Sequence, residues 1–238
     1  MCIRDRPADS ALPLPPDPAR APRIAQLTFA DLQHYRCDHN PDPGRFPEQQ
    51  PIATTLAGGD YRITRLADLF DFVARYALSE QKGPEQRAAA AQVQFNIETK
   101  RKPDDPAAIG DEFDGVNPGQ FEREIARIVT EQGLADRVVL QSFDHRSLWA
   151  MHSLNPAIRL AALTTSGVDL PDLARRGATI WSPDFATLDP ARLQEAHALG
   201  LLVMPWTVND PIAMRRLIEM GVDGLITDRP DLLLENLP

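Results

Sequence analysis

No stretch of this 238-residue chain is long and apolar enough to be read as a bilayer span. The best candidate, "GLLVMPWTV" from Gly200, is strand-length and interrupted by Pro205. Positive charge is also short. Lys and Arg number 25 against 34 Asp and Glu, for a net charge of -9, which argues against a nucleic-acid partner but leaves room for a small phosphorylated substrate held by one local cation. Cysteine is nearly absent: only Cys2 and Cys37 occur, neither in a metal-ligand spacing, so cysteine usage says nothing of compartment. The N-terminal region lacks regular patterning. "MCIRDR" has no apolar signal-peptide core and no helix or strand period, and it reads as a non-native start such as a translated partial gene, or as a short native tail. Nine of the 22 prolines lie in the first 50 residues, and "PADSALPLPPDPARAP" cannot build a regular element. Residues 1–61 are therefore set apart as an irregular, proline-rich segment, and residues 62–238 as the folded domain.

What is present from Arg62 onward is a rhythm. "ITRLADLFDFVARY" predicts a helix, with Thr64 as its cap and Leu66, Leu69, Phe70 and Val73 on one stripe. A hydrophilic connection, "ALSEQKGPEQRAAA", follows. Then apolar strands alternate with capped helices: "QFNIE", "RVVLQSF", "AIRLAALT", "ATIWSP", "LLVMPWTV" and "VDGLITD" are each followed by a helical pattern. Asp189-Pro190 and Asp210-Pro211 each set a capping acid before a proline at the first helical position, and Gly221 closes the second of these helices. This is the signature of βα units on a parallel sheet, about six of them where a closed barrel has eight. Polar residues recur at the strand ends, at Glu98, Ser142, Ser182, Thr207 and Asp228, where a barrel gathers its active site.

The stretch "QFNIETK" poses a question of its own. Its alternation places Val93, Phe95 and Ile97 on one face and Gln94, Asn96, Glu98 and Lys100 on the other. An amphipathic antiparallel strand with its polar face in water is one answer. A barrel strand carrying part of a site is the other.

At "FNIETK", "VVLQSFD", "MPWTVND" and "GVDGLITDRPDLL", in that order, the chain resembles the glycerophosphodiester phosphodiesterase family. The resemblance implies a TIM-barrel hydrolase that cleaves glycerophosphodiesters, such as deacylated phospholipids, into glycerol 3-phosphate and an alcohol. It also implies a divalent cation, Mg²⁺ or Ca²⁺, held by carboxylates. By the same resemblance Glu98 is a metal ligand, Lys100 is catalytic in stabilising charge on the phosphoryl oxygens, and Trp206, Phe143 and Gln141 bind substrate as pocket wall. Plain packing is the alternative for Trp206. The family's opening motifs, a His-Arg pair, a Glu and an Asp for the metal and a further His, have no counterpart before Arg62. His34 and His39 read as loop histidines, His145 as a solvent-exposed helix start, and His152 and His197 as surface or packing residues. The expectation is thus an incomplete barrel whose first two βα units are missing and which, lacking those motifs, does not hydrolyse glycerophosphodiesters at a useful rate by itself. A non-catalytic binding module and a different TIM-barrel phosphate enzyme stand as alternatives. The expected partner is a small-molecule substrate.

Overall fold

In the computed structural model, residues 23–35 and 62–237 are described; Cys2, Cys37, His39 and "PADSALPLPPDPARAP" fall outside them. Five strands form one parallel sheet: β1 (Phe95–Glu98), β2 (Val138–Ser142), β3 (Arg159–Thr164), β4 (Ile180–Pro183) and β5 (Leu202–Val203). They are hydrogen-bonded in chain order, β1 to β5, with every pairing parallel. A doubly wound sheet reverses its strand order at a switch point, whereas a β/α barrel adds each strand beside the last. The order here is that of the barrel.

Nine α-helices accompany these strands among the described residues: α1 (Phe29–Leu32), α2 (Leu66–Leu78), α3 (Pro84–Gln92), α4 (Gln120–Glu131), α5 (His145–Leu154), α6 (Leu170–Arg175), α7 (Pro190–Ala198), α8 (Pro211–Met220) and α9 (Pro230–Asn236). Their starts follow the expected chemistry. Asp189 accepts a hydrogen bond from Arg192 N at 2.8 Å and Asp210 one from Ala213 N at 2.7 Å, each with proline in the first turn. Gly221 ends α8 at φ 96°, the left-handed conformation that glycine adopts without a Cβ penalty.

Three local expectations are corrected. Thr64 does not cap α2; the cap is Arg65, whose N–H is bonded by Asp68 at 3.1 Å, because an acid at the third helical position reaches back to the same donor. The hydrophilic connection after α2 contains α3, started by Pro84 and sustained by its alanines. The sixth expected strand, around Val222–Asp228, runs beside β5 without forming a regular strand. Asp223 N donates to Val203 O, Ile226 N to Pro205 O and Val208 N to Ile226 O, at 3.0, 3.0 and 2.9 Å. Pro205 has no N–H to donate toward this segment, and Pro183 has none to donate to Met204 O, so the ladder between β4 and β5 breaks after Val203 and β5 is two residues long. Within the segment set apart as irregular, residues 23–35 hold a short 3₁₀ turn and α1, tied to the domain by an ion pair from Arg23 to Asp105 at 2.7 Å.

The sheet has two apolar layers. Phe95, Val138, Leu140, Leu160, Ala162, Trp181 and Val203 pack under the helices in the main core, with Phe70, Ile125, Val129, Leu148 and Met151. Alternate residues of the same strands, Val139, Ala161 and Ile180 with Met204, form a second, smaller cluster on the opposite face. Strands apolar on both faces belong to a sheet covered on both sides, so the amphipathic antiparallel reading of "QFNIETK" fails.

Candidate functional site

The face that carries Val139, Ala161 and Ile180 also carries the polar row of β1. Asn96 and Glu98 pair in register with Val139 and Gln141 of β2. Gln141 is buried and its Oε1 accepts from Asn96 Nδ2 at 3.0 Å. β1 stops at Glu98, yet Lys100 comes back to that acid: its Nζ lies 2.8 Å from Glu98 Oε2. The Glu98 side chain is 19% exposed and that of Lys100 54% exposed, so the ammonium stands at the C-terminal rim in water. The backbone allows this because Lys100 adopts φ 54°, left-handed for a residue that has a Cβ.

The residues on either side of Lys100 turn the other way. Thr99 is buried, donates its N–H to Gln141 O at 3.1 Å and shares a 2.8 Å hydrogen bond with Ser142 Oγ. Arg101 is 2% exposed and forks onto two acids: Nε and Nη2 donate to Glu122 at 2.9 and 3.0 Å, and Nη1 and Nη2 donate to Asp111 at 2.9 and 2.8 Å. Glu122 is completely buried and also accepts from Ser147 Oγ at 2.6 Å and Gly119 N at 3.0 Å. Hydrogen bonds from Arg101 hold the Asp111 carboxyl below its ordinary range. Burial works against charge on Arg101, but its bonds to Asp111 and Glu122 outweigh that and raise it.

The aromatic pair comes from elsewhere on the rim. Phe143, just past β2, meets Trp206, past β5, with ring centroids 5.3 Å apart and planes at 89°, an edge-to-face contact. Trp206 Nε1 donates to Ser182 O at 2.8 Å, and Trp206 forms a parallel bridge with Asp184 that prolongs the β4–β5 pairing. Three strand spacings separate β2 from β5, about 14 Å in a flat sheet. Rings that touch across that interval show the sheet curling toward closure at its C-terminal rim.

The five residues singled out from sequence therefore form two groups: Glu98, Lys100 and Gln141 at β1 and β2, and Phe143 with Trp206. Other strand-end residues behave differently. Ser142 points to the helix side, where it bonds Thr99 and Asp144 N, because it shares the parity of Leu140. Asp228 is engaged by Asn209, whose Nδ2 donates to it at 2.9 Å. His145 is half-buried rather than solvent-exposed, its Nε2 2.9 Å from Leu163 O, because the first turn of α5 packs against the end of β3. His34 is exposed in the turn after α1, and exposed His197 pairs with Asp223 at 2.8 Å. The Arg101 network was not read from the sequence. Its one local signal is parity: in "ETKR" Arg101 shares the helix-facing side with Thr99, where a charge requires partners.

Comparison with known proteins decides the family. The profile of the glycerophosphoryl diester phosphodiesterase family matches residues 8–232. The chain belongs to that family. The match begins within the proline-rich segment and runs through to α9. A glycerophosphodiester phosphodiesterase of Caldanaerobacter subterraneus subsp. tengcongensis is 30% identical over 119 residues, and one of Bacillus altitudinis is 32% identical over 118. The first alignment covers 49% of each chain and the second 48% of each. The chain spans about half the length of these curated relatives. Among solved structures, a candidate family enzyme of Silicibacter pomeroyi superposes with a TM-score of 0.67 at 26% identity, over 89% of this chain and 69% of that one. An Oleispira antarctica phosphodiesterase in complex with sn-glycerol-3-phosphate shares the fold, with a TM-score of 0.57 at 16% identity over 90% of this chain and 71% of that one. The architecture is accordingly the TIM-barrel fold of these phosphodiesterases, of which the five strands form an arc.

Proposed function

We propose that this chain acts on glycerophosphodiesters, releasing glycerol 3-phosphate and an alcohol, with Lys100 on the phosphoryl group and Trp206 and Phe143 against the glycerol portion. The observation that carries the reading is the placement of Lys100: a half-exposed ammonium at the C-terminal rim of a parallel sheet, held beside Glu98 on the inward face. The ammonium end of the pair stands in water and carries three N–H donors, so Lys100 keeps one on Glu98 and turns another to an incoming phosphodiester oxygen. Once there, the ammonium stabilises the charge that builds on the phosphoryl oxygens as the ester bond breaks. The edge-to-face aromatic pair offers an apolar wall with its polar indole atom already engaged by Ser182 O, so the exposed ring surface is free for a small carbon skeleton.

The divalent cation that the family resemblance implies fits the described residues poorly. Among them no three carboxylate, imidazole or thiolate groups converge, whereas a hard divalent ion takes about six oxygen ligands. Glu98 supplies one carboxylate at most, so no step here is routed through an ion. The test is release of glycerol 3-phosphate from glycerophosphocholine with Mg²⁺ or Ca²⁺, beside a phosphomonoester control and calorimetric titration with glycerol 3-phosphate. Release that is lost in Lys100→Met supports the reading. Neither release nor binding removes it, and binding without release favours a non-catalytic binding module.

A further inference from the structure

Lys100 occupies a conformation that its own side chain does not favour. A residue with a Cβ held near φ 54° is strained, and such a conformation persists only where the surroundings over-determine it. The surroundings here are the two neighbours. Thr99 is fixed to β2 through Gln141 O and Ser142 Oγ, and Arg101 is fixed to the far side of the same loop. One guanidinium joins three separate stretches of chain: the end of β1, the loop at Asp111 and the first turn of α4 at Glu122. It lies over the ring of Phe113 with its centre 4.2 Å from the centroid. Each acid has further donors, Phe121 N on Asp111 at 3.1 Å, and Gly119 N and Ser147 Oγ on Glu122.

A buried ion network of this kind gains little over well-packed apolar side chains, since desolvation cancels most of the attraction. What it supplies that apolar packing does not is a single allowed geometry. Arginine's planar fork fixes both carboxylates in direction as well as distance, which a lysine at the same place cannot do. With Arg101 drawn to the helix side and Thr99 locked to β2, the residue between them is left with one direction, to the rim beside Glu98.

We propose that Arg101 is a positioning residue: by gripping Asp111 and Glu122 it holds Lys100 in its left-handed turn and aims the ammonium at the rim where the phosphoryl group binds. The role rests on the phosphodiesterase reading above. Its effect on binding runs through Lys100, so a double-variant comparison separates it from a general loss of stability. Calorimetric titration with glycerol 3-phosphate is compared for the wild-type chain, Lys100→Met, Arg101→Lys and the double variant, with thermal melts of each. The wild-type chain binds, and each single variant weakens binding roughly tenfold, the scale of one lost charge-assisted hydrogen bond. The double variant then binds no more weakly than Lys100→Met. If the two losses multiply in the double variant, or if Arg101→Lys binds like wild type, Arg101 is a loop staple and the positioning role is overturned. Wild-type chain that folds cooperatively but does not bind glycerol 3-phosphate overturns the phosphodiesterase reading, and the positioning role with it. Should Arg101→Lys fail to fold, Asp111→Asn, which leaves the bonds to Glu122 in place, enters the same four-way comparison.

Discussion

Lys100 and Glu98 sit 2.8 Å apart, and their chemistry at that distance makes opposite demands on substitution. Lys100→Met keeps the length of the side chain and removes the charge. Turnover of glycerophosphocholine should fall by at least tenfold, since charge stabilisation of this type is typically worth about 10²–10³-fold per donor. Equal turnover in the variant would return Lys100 to a plain rim residue. Glu98→Gln keeps the shape and removes the negative charge beside the ammonium, so calorimetry should show glycerol 3-phosphate bound at least as tightly as by the wild-type chain. Trp206 is tested through two variants. Trp206→Ala removes the wall and the contact with Phe143, whereas Trp206→Phe retains an aromatic edge and gives up only the Nε1 bond to Ser182 O. Weaker substrate binding in the alanine variant with near-normal binding in the phenylalanine variant is the expected pattern. Equal binding in all three proteins would assign Trp206 to packing alone.

The connection between β1 and α4 is held as a unit by the Arg101 network. Arg101→Ala strands the fully buried Glu122 carboxylate and Asp111 without their cation, a change that typically costs about 3–5 kcal/mol. A urea melt should show it as a lower midpoint with little change in slope. The network also gives the stability a pH dependence of definite sign. Asp111 has its folded-state pKa depressed by the hydrogen bonds from Arg101, so its contribution is complete above the unfolded value of about 3.9 and is lost as pH falls through the lower folded value. Urea melts between pH 7 and pH 2.5 should therefore show a steeper acid loss in the wild-type chain than in Asp111→Asn. Parallel curves would mean that the carboxylate's charge adds nothing to the fold.

At the scale of the whole molecule, protection is unevenly distributed. β2, β3 and β4 lie inside the sheet with neighbours on both sides and a helix layer over Leu140, Leu160 and Trp181. β5 is two residues long, and Val222–Asp228 is attached to it by scattered hydrogen bonds around Pro205. Amide hydrogen exchange should be slowest at Leu140–Ser142 and Leu160–Leu163, and faster by orders of magnitude at 222–227, where opening breaks fewer bonds. Uniform protection across these segments would show that the last stretch folds with the same cooperativity as the centre of the sheet.

The sequence by itself determined the parallel β/α class, the helix starts at Asp189-Pro190 and Asp210-Pro211, and the inward parity of Asn96 and Glu98. Each follows from local sterics or a short period that needs no distant partner. The family was legible too, through four motifs spread from β1 to α9. Local signals misplaced what depended on competition between neighbours: Asp68 rather than Thr64 completes the start of α2, and a proline followed by alanines made a helix of an expected linker. Only the tertiary structure decided that Phe143 meets Trp206, residues sixty-three positions apart that touch because the sheet curls. It alone placed Ser142 toward the helices and brought the His145 ring to Leu163 O. The Arg101 network is the clearest case. Its acids stand ten and twenty-one residues away, on a loop and on a helix, and nothing short of the folded chain says that one buried guanidinium will answer both.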